Sequence, residues 1–145
     1  MEVTAVLDAH SPPATLFAVV EDLGRYPSWL DLVPRAVPAD AAPGDAGPAW
    51  SVDLRGRLGP LARSKRLRMV RTAHEPPVRA RFERVEVDGR RHSPWVLTVD
   101  VAPTATGSHL TMTLHYGGGL FGPVLERVLV EEIERSKPRL LALLA

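Results

Sequence analysis

The sequence has no cysteine, so the chain can form no disulfide and offers no thiol nucleophile or thiolate metal ligand. It also lacks an apolar run of about 18 residues and a basic segment followed by an apolar one. These absences predict neither a membrane-spanning helix nor a signal peptide. We therefore expect a cytoplasmic protein.

Sequence motifs of several enzyme classes are missing too. The chain has neither Gly-x-Ser-x-Gly nor His-Glu-x-x-His. The glycines from Gly117 to Gly119 are not followed by the Lys and Ser or Thr of a phosphate-binding loop. The five histidines show no spacing typical of metal ligands. The sequence therefore predicts no metal and no cofactor.

The composition is that of an ordinary globular domain. Hydrophobic residues make up 45% and charged residues 24% of the 145, so we expect one domain over residues 1–145. The charge is unevenly distributed: Asp53 to His92 contains 12 Lys or Arg and 5 Asp or Glu, which leaves 6 and 12 for the rest. We expect the basic middle to contact the acidic ends of the chain or an acidic partner.

The segment from Phe121 to Leu144 predicts a long amphipathic helix. Its apolar side chains form one stripe at 100° per residue, and Pro123 suits its first turn. The segment spans roughly 30 Å, which is enough to cross a sheet. Two polar residues, Glu132 and Ser136, interrupt this stripe. The apolar stripe consists of Phe121, Leu125, Val128, Leu129, Ile133, Leu140 and Leu143.

The first half of the chain predicts a strand followed by two short helices. Alternation over Val3 to Leu7 indicates the strand. Ser11, followed by two prolines, predicts a capped helix that Gly24 ends. A second helical segment runs from Tyr26 to Val33. The Ala-, Asp-, Pro- and Gly-rich segment from 38 to 48 predicts a loop.

From Trp50 to Tyr116 the apolar residues recur with a period of two, which predicts hairpin-linked strands. Gly59-Pro60 and Pro76-Pro77 predict turns, and Asp88-Gly89 predicts a tight hairpin. The whole pattern predicts an α+β fold, with a curved antiparallel sheet of six or seven strands wrapped around the long C-terminal helix. Because such a sheet twists, we expect a wedge of space between sheet and helix.

The segment from Ser11 to Leu30 reads SPPATLFAVVEDLGRYPSWL. Its proline-started helix is followed by Asp22, the pair Tyr26-Pro27, and Trp29. With the layout of the whole chain, this order resembles the START-like or Bet v 1-like superfamily, in particular its polyketide cyclase/dehydrase and coenzyme Q-binding branch. The resemblance implies a helix-grip fold with a cavity for a hydrophobic or aromatic small molecule. Because the superfamily includes cyclases, lipid carriers and hormone receptors, the resemblance specifies the fold more than the function.

Arg71 shares a predicted strand face with the apolar Leu67 and Met69. A guanidinium on that face needs an anion or several carbonyl groups, because an unpaired buried charge is costly. Arg71 also looks like the position at which aromatase/cyclase relatives carry an arginine that engages polyketide oxygens. The alternative is a strand-end residue whose head group reaches water.

Glu132 is the second candidate catalytic residue. If it faces the cavity, it can pair with Arg71 or act as an acid or base. We hypothesise that Arg71 and Glu132 share the cavity and that Tyr116, where the sheet turns into the helix, offers a further hydroxyl for proton transfer. Against this, Pro138 is able to kink the helix and rotate its last turns.

The predicted ligand-binding residues are aromatic, aliphatic, Met and polar side chains expected on the inner surfaces. For the aromatic residues and the methionines, an ordinary core role is the alternative. The predicted set is Tyr26, Trp29, Trp50, Leu67, Met69, Arg71, Phe82, Trp95, Met112, Leu114, Tyr116, Leu125, Leu129 and Ser136.

Six arginines fall on the opposite face of three successive predicted strands. Like charges across a sheet are mildly destabilising, so the cluster suggests an anionic partner such as an acyl carrier protein, ribosomal RNA or an anionic membrane surface. The alternative is a solvated face balanced by nearby carboxylates. No aromatic residues interleave with the arginines, and we expect no DNA partner. The cluster is Arg55, Arg57, Arg66, Arg68, Arg79 and Arg81.

Three functions remain open at this point. The first is binding of a hydrophobic small molecule that is polyketide-like, quinone-like or lipid-like. The second is a cyclase or dehydratase in which Arg71 anchors oxygens while Glu132 or Tyr116 moves protons. The third is binding of an anionic partner through the arginine face, with the cavity playing no part.

Overall fold

The computed structural model describes residues 1–58, 61–117 and 125–145. Within them an eight-residue strand, two short helices, six further strands and a long helix follow one another. The elements are β1 (Glu2–Ala9), α1 (Pro13–Val20), a 3-10 helix (Leu23–Ser28), β2 (Arg35–Ala39), β3 (Ala49–Leu58), β4 (Leu61–Glu75), β5 (Arg79–Arg84), β6 (Trp95–Thr104), β7 (Gly107–Tyr116) and α2 (Leu125–Leu144).

The seven described strands form one antiparallel sheet in the order β1-β7-β6-β5-β4-β3-β2. Strands that are consecutive from β2 to β7 are neighbours, and β1 closes the order by pairing with β7. The curved sheet, the C-terminal helix and the short helices after β1 confirm the predicted α+β class. The sequence predicted six or seven strands, and the described part of the chain contains seven.

The two helices cover different parts of the inner sheet face. Helix α1 packs on β6 and β7, whereas α2 contacts β1 and β3. Among the described side chains of α2 the buried ones are Val128, Leu129, Ser136 and Leu140. Three of them belong to the predicted stripe, and Ile133 of the stripe is half-buried. The stripe prediction was wrong at Leu143, which is 42% exposed on the last turn.

Some local predictions need correction. Residues 38–48 were predicted as a loop, and residues 35–37 were not assigned. Arg35–Ala39 instead forms the edge strand β2, where Pro38 is tolerated because an edge leaves amide positions unpaired. Helix α1 ends at Val20, before Gly24. The Ser11 hydroxyl donates to the Leu144 carbonyl at 3.2 Å and does not cap α1, so it links the start of α1 to the end of α2.

The predicted tight hairpin at Asp88-Gly89 is a longer connection. Residues 85–94 join β5 to β6, and Gly89 adopts a φ of +72° inside this loop. The predicted turn at Gly59-Pro60, the glycines after Gly117, and the predicted helix start around Phe121 and Pro123 lie outside the described residues. None of the described helices has the length and apolar character needed to span a membrane.

Candidate functional site

A cavity lies between the inner face of the sheet, the 3-10 helix region and α2. The centre of a water-sized sphere can reach about 120 Å³ of it. Sheet, short helix and long helix each contribute to its wall, as the predicted wedge requires. Its lining residues are Val3, Ala5, Leu23, Tyr26, Trp29, Leu30, Leu32, Val33, Val52, Leu54, Leu67, Met69, Trp95, Leu97, Met112, Leu114, Leu129, Ile133 and Ser136.

Strand register explains why these side chains meet. Val3 pairs with Leu114, and Leu114 pairs with Leu97, so three apolar side chains cross the sheet on one face. Between β3 and β4, on the same face of the sheet, Val52 pairs with Leu67 in the same way. Because alternate residues of a strand share a face, each pair fixes the orientation of its neighbours two positions away.

The structure places most of the predicted ligand-binding residues at this cavity. Trp50, Phe82 and Tyr116 instead belong to the buried core beside it, and Trp50 meets Phe82 edge-on with ring centroids 5.7 Å apart. The side chain of Leu125 lies outside the described part of the structure. The predicted residues that do line the cavity are Tyr26, Trp29, Leu67, Met69, Trp95, Met112, Leu114, Leu129 and Ser136.

Two polar groups of the cavity wall are occupied by backbone partners. The Tyr26 hydroxyl donates to the Val20 carbonyl at 2.7 Å, and burial raises the pKa of this phenol far above its ordinary value. The Ser136 hydroxyl donates to the Ile133 carbonyl at 2.6 Å, one turn back in α2. Both groups therefore keep only acceptor capacity for a guest.

Two indole N–H groups of the wall are buried without a described partner. They belong to Trp29, beside the 3-10 helix, and Trp95, at the start of β6. An indole nitrogen can only donate, and a buried donor without an acceptor costs about 1 to 3 kcal/mol. The surface that the cavity exposes is therefore almost wholly apolar, and the two unused donors are buried in side chains that line it.

Tyr116 lies next to the cavity and packs against Trp95, with the two rings tilted by 30° and their centroids 5.5 Å apart. Its hydroxyl is also buried without a described partner. Burial, with a smaller contribution from the Glu126 carboxylate, raises the pKa of this phenol. The group is therefore a neutral donor at ordinary pH.

The structure does not bring Arg71 and Glu132 together. Arg71 lies beside Glu21, the residue that follows α1, with a long 3.5 Å contact from its guanidinium to the Glu21 carbonyl. Glu132 pairs with Arg135 at 3.2 Å and borders a surface groove. Neither residue lines the cavity, and the hypothesis that they share it was wrong for the described structure.

The arginine cluster on the outer face is largely paired with carboxylates. Arg66 contacts Asp53 at 2.7 Å, and Arg79 contacts Asp100 at 2.7 Å. Arg81 contacts Glu83 at 3.4 Å. These ion pairs match the solvated, balanced face that was the alternative to a partner-binding surface. The Arg57 side chain lies outside the described part of the structure.

Arg68 is the most enclosed member of that cluster. It pairs with Asp45 at 2.6 Å, with 10% of the arginine and 6% of the aspartate side chain exposed. It also donates to the carbonyls of Asp40 and Val85. The hydrogen bond from Arg68 and one from the Ala42 amide hold the Asp45 pKa below its usual range. This pair fastens the loop after β2 to the outer face of the sheet.

Sequence reasoning missed about half of the cavity wall. Val52, Leu54 and Leu97 could have been found because they alternate in phase with the predicted Trp50 and Trp95. The other unassigned lining residues are Val3, Ala5, Leu23, Leu30, Leu32, Val33 and Ile133.

Comparison with known proteins supports the fold. A family model described as "Polyketide cyclase / dehydrase and lipid transport" matches residues 1–144. Among solved structures, a START superfamily protein from Mycobacterium smegmatis is 15% identical with a TM-score of 0.71, over 97% of this chain and 94% of that one. A protein from Chromobacterium violaceum is 12% identical with a TM-score of 0.70, over 99% of this chain and 96% of that one.

A third solved structure is the di-domain ARO/CYC StfQ from the steffimycin biosynthetic pathway. It is 14% identical with a TM-score of 0.64, and the match covers 99% of this chain and 48% of StfQ. At these identities the structural likeness shows a shared fold and no more. The comparison with curated proteins found no match.

Proposed function

The chain belongs to the polyketide cyclase / dehydrase and lipid transport family, and from that premise we propose that it binds a small hydrophobic molecule carrying oxygen acceptors. The observation that carries the proposal is the apolar cavity of about 120 Å³, whose wall includes two tryptophans with buried, unpartnered N–H groups. The ligand class is a small polyketide-like, quinone-like or lipid-like molecule.

The size of the cavity limits the part of a ligand that it encloses. An apolar cavity of about 150 Å³ in another protein binds benzene and stays dry when empty. One aromatic ring or a short acyl chain therefore suits this space, and a fused polycyclic molecule requires the walls to move apart. Transfer of apolar surface from water supplies the main attraction, at about 25 cal/mol per Å² buried.

The unpartnered donors support a ligand with carbonyl, ether or hydroxyl oxygens. Trp29 and Trp95 stand on different elements, so two oxygens at different positions of one guest can satisfy both. A purely hydrocarbon guest leaves the donors without acceptors and gains less from the site. Acidic and basic side chains do not line the described cavity wall, which favours an uncharged group inside it.

The same lining favours binding over catalysis. General acid or base catalysis needs a titratable group within hydrogen-bond reach of the reacting atoms. In the described wall the one ionisable side chain is Tyr26, whose hydroxyl is already committed to the Val20 carbonyl. A cyclase or dehydratase activity therefore has less support than ligand binding.

Native mass spectrometry of the freshly purified protein tests the proposal directly. We expect a retained small molecule, released on denaturation, whose composition includes oxygen. Titration with acetophenone, which combines one ring with one carbonyl, tests the site when the natural ligand has been lost during purification. We expect saturable binding to one site per chain.

The matched variants are Ala5→Leu and Ala102→Leu. Ala5 lines the cavity, whereas Ala102 is exposed on β6. Filling the cavity at Ala5 should weaken acetophenone binding about tenfold or more, because the added carbons occupy the ring's space. Equal acetophenone affinity in the two variants, or no saturable binding to the wild type, would overturn the proposal.

A further inference from the structure

The sheet has a gap at the end of the cavity where β5 stops. Met69 of β4 pairs with Arg84, the last residue of β5, whereas β4 itself begins at Leu61. Next to Met69, the Val85 amide donates to the Arg68 carbonyl and the Glu86 carboxylate accepts from the Arg68 amide; nearer the start of β4, no residue of β5 is paired with the strand. Across this gap lies Trp95, the first residue of β6 and part of the cavity wall.

Lys65 reaches into this gap from β4. Its strand phase is that of Leu67 and Met69, so it belongs to the inner face. Its ammonium nitrogen lies 5.9 Å from the centre of the Trp95 ring. Partial burial, together with the nearby Arg84, lowers the Lys65 pKa from its ordinary value, and the Glu86 carboxylate offsets part of this shift. Lys65 also borders a surface groove, so its ammonium stands between solvent and cavity.

The other cation at the gap is already committed. Arg84 pairs with Glu86 at 3.2 Å and contacts the carbonyl of Ser93 at 3.3 Å and a ring nitrogen of His92 at 3.2 Å. In the described structure no carboxylate lies within 4.0 Å of the Lys65 ammonium. Of these two cations, Lys65 is therefore the one whose ammonium can pair with an anionic ligand.

Two buried donors belong to Trp95, whose ring lies under that cation, and to its neighbour Tyr116. The Trp95 N–H has no described acceptor although 5% of the residue is exposed, and the Tyr116 hydroxyl has none although 1% of the residue is exposed. The two rings pack against each other at an angle of 30°, so both side chains belong to the same end of the molecule. An ammonium with adjacent N–H and O–H donors is the arrangement that a carboxylate accepts from, since its two oxygens offer only acceptors.

We infer that Lys65 and Trp95, with Tyr116 beside them, form a polar end of the cavity that binds the carboxylate of a small aromatic or acyl carboxylic acid. The inference rests on the proposed function and narrows its ligand class. The ring or acyl chain lies among the apolar lining, and the carboxylate lies in the gap, where water still reaches Lys65. In this position the carboxylate of the acid remains outside the apolar part of the cavity, where an unpaired charge would be costly.

Calorimetric titration with matched acids and amides tests the inference. The probes are phenylacetate, 3-phenylpropionate and 4-phenylbutyrate, each with its primary amide, because the chain length that reaches Lys65 is part of the question. For the best-fitting length we expect the acid to bind about tenfold more tightly than its amide. Salt added from about 20 to about 500 mM should weaken only the acid, because it screens the partly exposed ammonium.

Three variants make the test specific to Lys65. Lys65→Met keeps the length of the side chain and should lose the preference for the acid, with the amide affinity unchanged. Lys65→Arg restores the charge and should restore most of the preference. Arg81→Met removes the same charge from the outer face, where Arg81 pairs with Glu83, and should change neither affinity. Thermal unfolding of each variant confirms that it is folded.

The outcomes separate the two proposals. If acetophenone and the amides bind while the acids bind no better, or if Lys65→Met keeps the acid preference, this inference fails and the proposed function stands. If acids, amides and acetophenone all fail to bind the folded wild type, the proposed function fails as well. Acid binding that Arg81→Met weakens as much as Lys65→Met would place the carboxylate outside the gap and overturn the inference.

Discussion

The two faces of the sheet differ in how their polar groups are satisfied. On the outer face Arg66, Arg68 and Arg79 each meet a carboxylate at 2.7 Å or less. On the inner face the N–H groups of Trp29 and Trp95 are buried without described acceptors. Buried polar groups in folded proteins are nearly always hydrogen-bonded. These outer arginines therefore find their partners within the chain, whereas the two inner donors have none among the described residues.

Truncation of the inner wall at Leu129 gives the largest expected effect. Leu129 is 1% exposed and lines the cavity, so Leu129→Ala removes buried contacts and enlarges the cavity. We expect a loss of about 3 kcal/mol in the free energy of unfolding, measured by urea denaturation. We also expect naphthalene to gain affinity relative to benzene, because the new space accommodates a second ring.

Leu141→Ala is the control for this truncation. Leu141 is on the same helix but 39% exposed, so its loss should cost less than about 0.5 kcal/mol. If Leu129→Ala destabilises the chain without any shift in the naphthalene to benzene preference, Leu129 is ordinary core and does not shape a binding site.

Removal of one unused donor is the next effect in size. Trp95→Phe keeps an aromatic ring in the wall and removes the N–H group. We expect acetophenone affinity to fall about tenfold, while ethylbenzene, which lacks the carbonyl, keeps its affinity. Trp50→Phe is the control, because Trp50 is buried in the core without lining the cavity. Parallel losses for both ligands in Trp95→Phe would mean that shape, and not the donor, was lost.

The inner face also shows what sequence reasoning could and could not supply. Period-two alternation predicted that Leu67 and Met69 face inward, and both line the cavity. Arg71 continues that pattern, but β4 runs past the end of β3, and there the inner face meets the end of α1. Alternation gives the face of a strand residue; it does not say which helix covers that part of the face.

The same limit applies to the helix. The predicted stripe correctly placed Ser136 in the buried surface and lining the cavity. Glu132 lies one turn earlier, at the margin of that surface, where Arg135 draws its carboxylate to the outside. A helical wheel gives a direction for each side chain, but the position of a charged head group at the margin also depends on which partner is within reach.

Edge strand β2 was not predicted because Pro38 and the surrounding alanines resemble a loop in composition.

The outer face can be tested through acid stability. The folded-state pKa of Asp45 is below its ordinary value of 3.8, because Arg68 and the Ala42 amide bond to the ionised carboxylate. The stabilisation is therefore complete above the unfolded-state pKa and is lost as pH falls through the folded-state pKa. Asp45→Asn should lack this contribution, so its stability should fall less than that of the wild type below about pH 4. Parallel pH profiles in urea denaturation would show that the pair does not fasten the loop.

The exposed ion pairs of the outer face give the smallest expected effect. Arg79 contacts Asp100 with 52% of the arginine side chain exposed, and water and salt weaken such a pair. Arg79→Met should leave the unfolding midpoint in urea unchanged within error, at both low and high salt. A clear loss of stability at low salt alone would mean that the outer arginines act as a coupled network. The partners that the outer arginines have, and that the inner donors lack, would then stabilise the fold through long-range charge balance as well as through individual pairs.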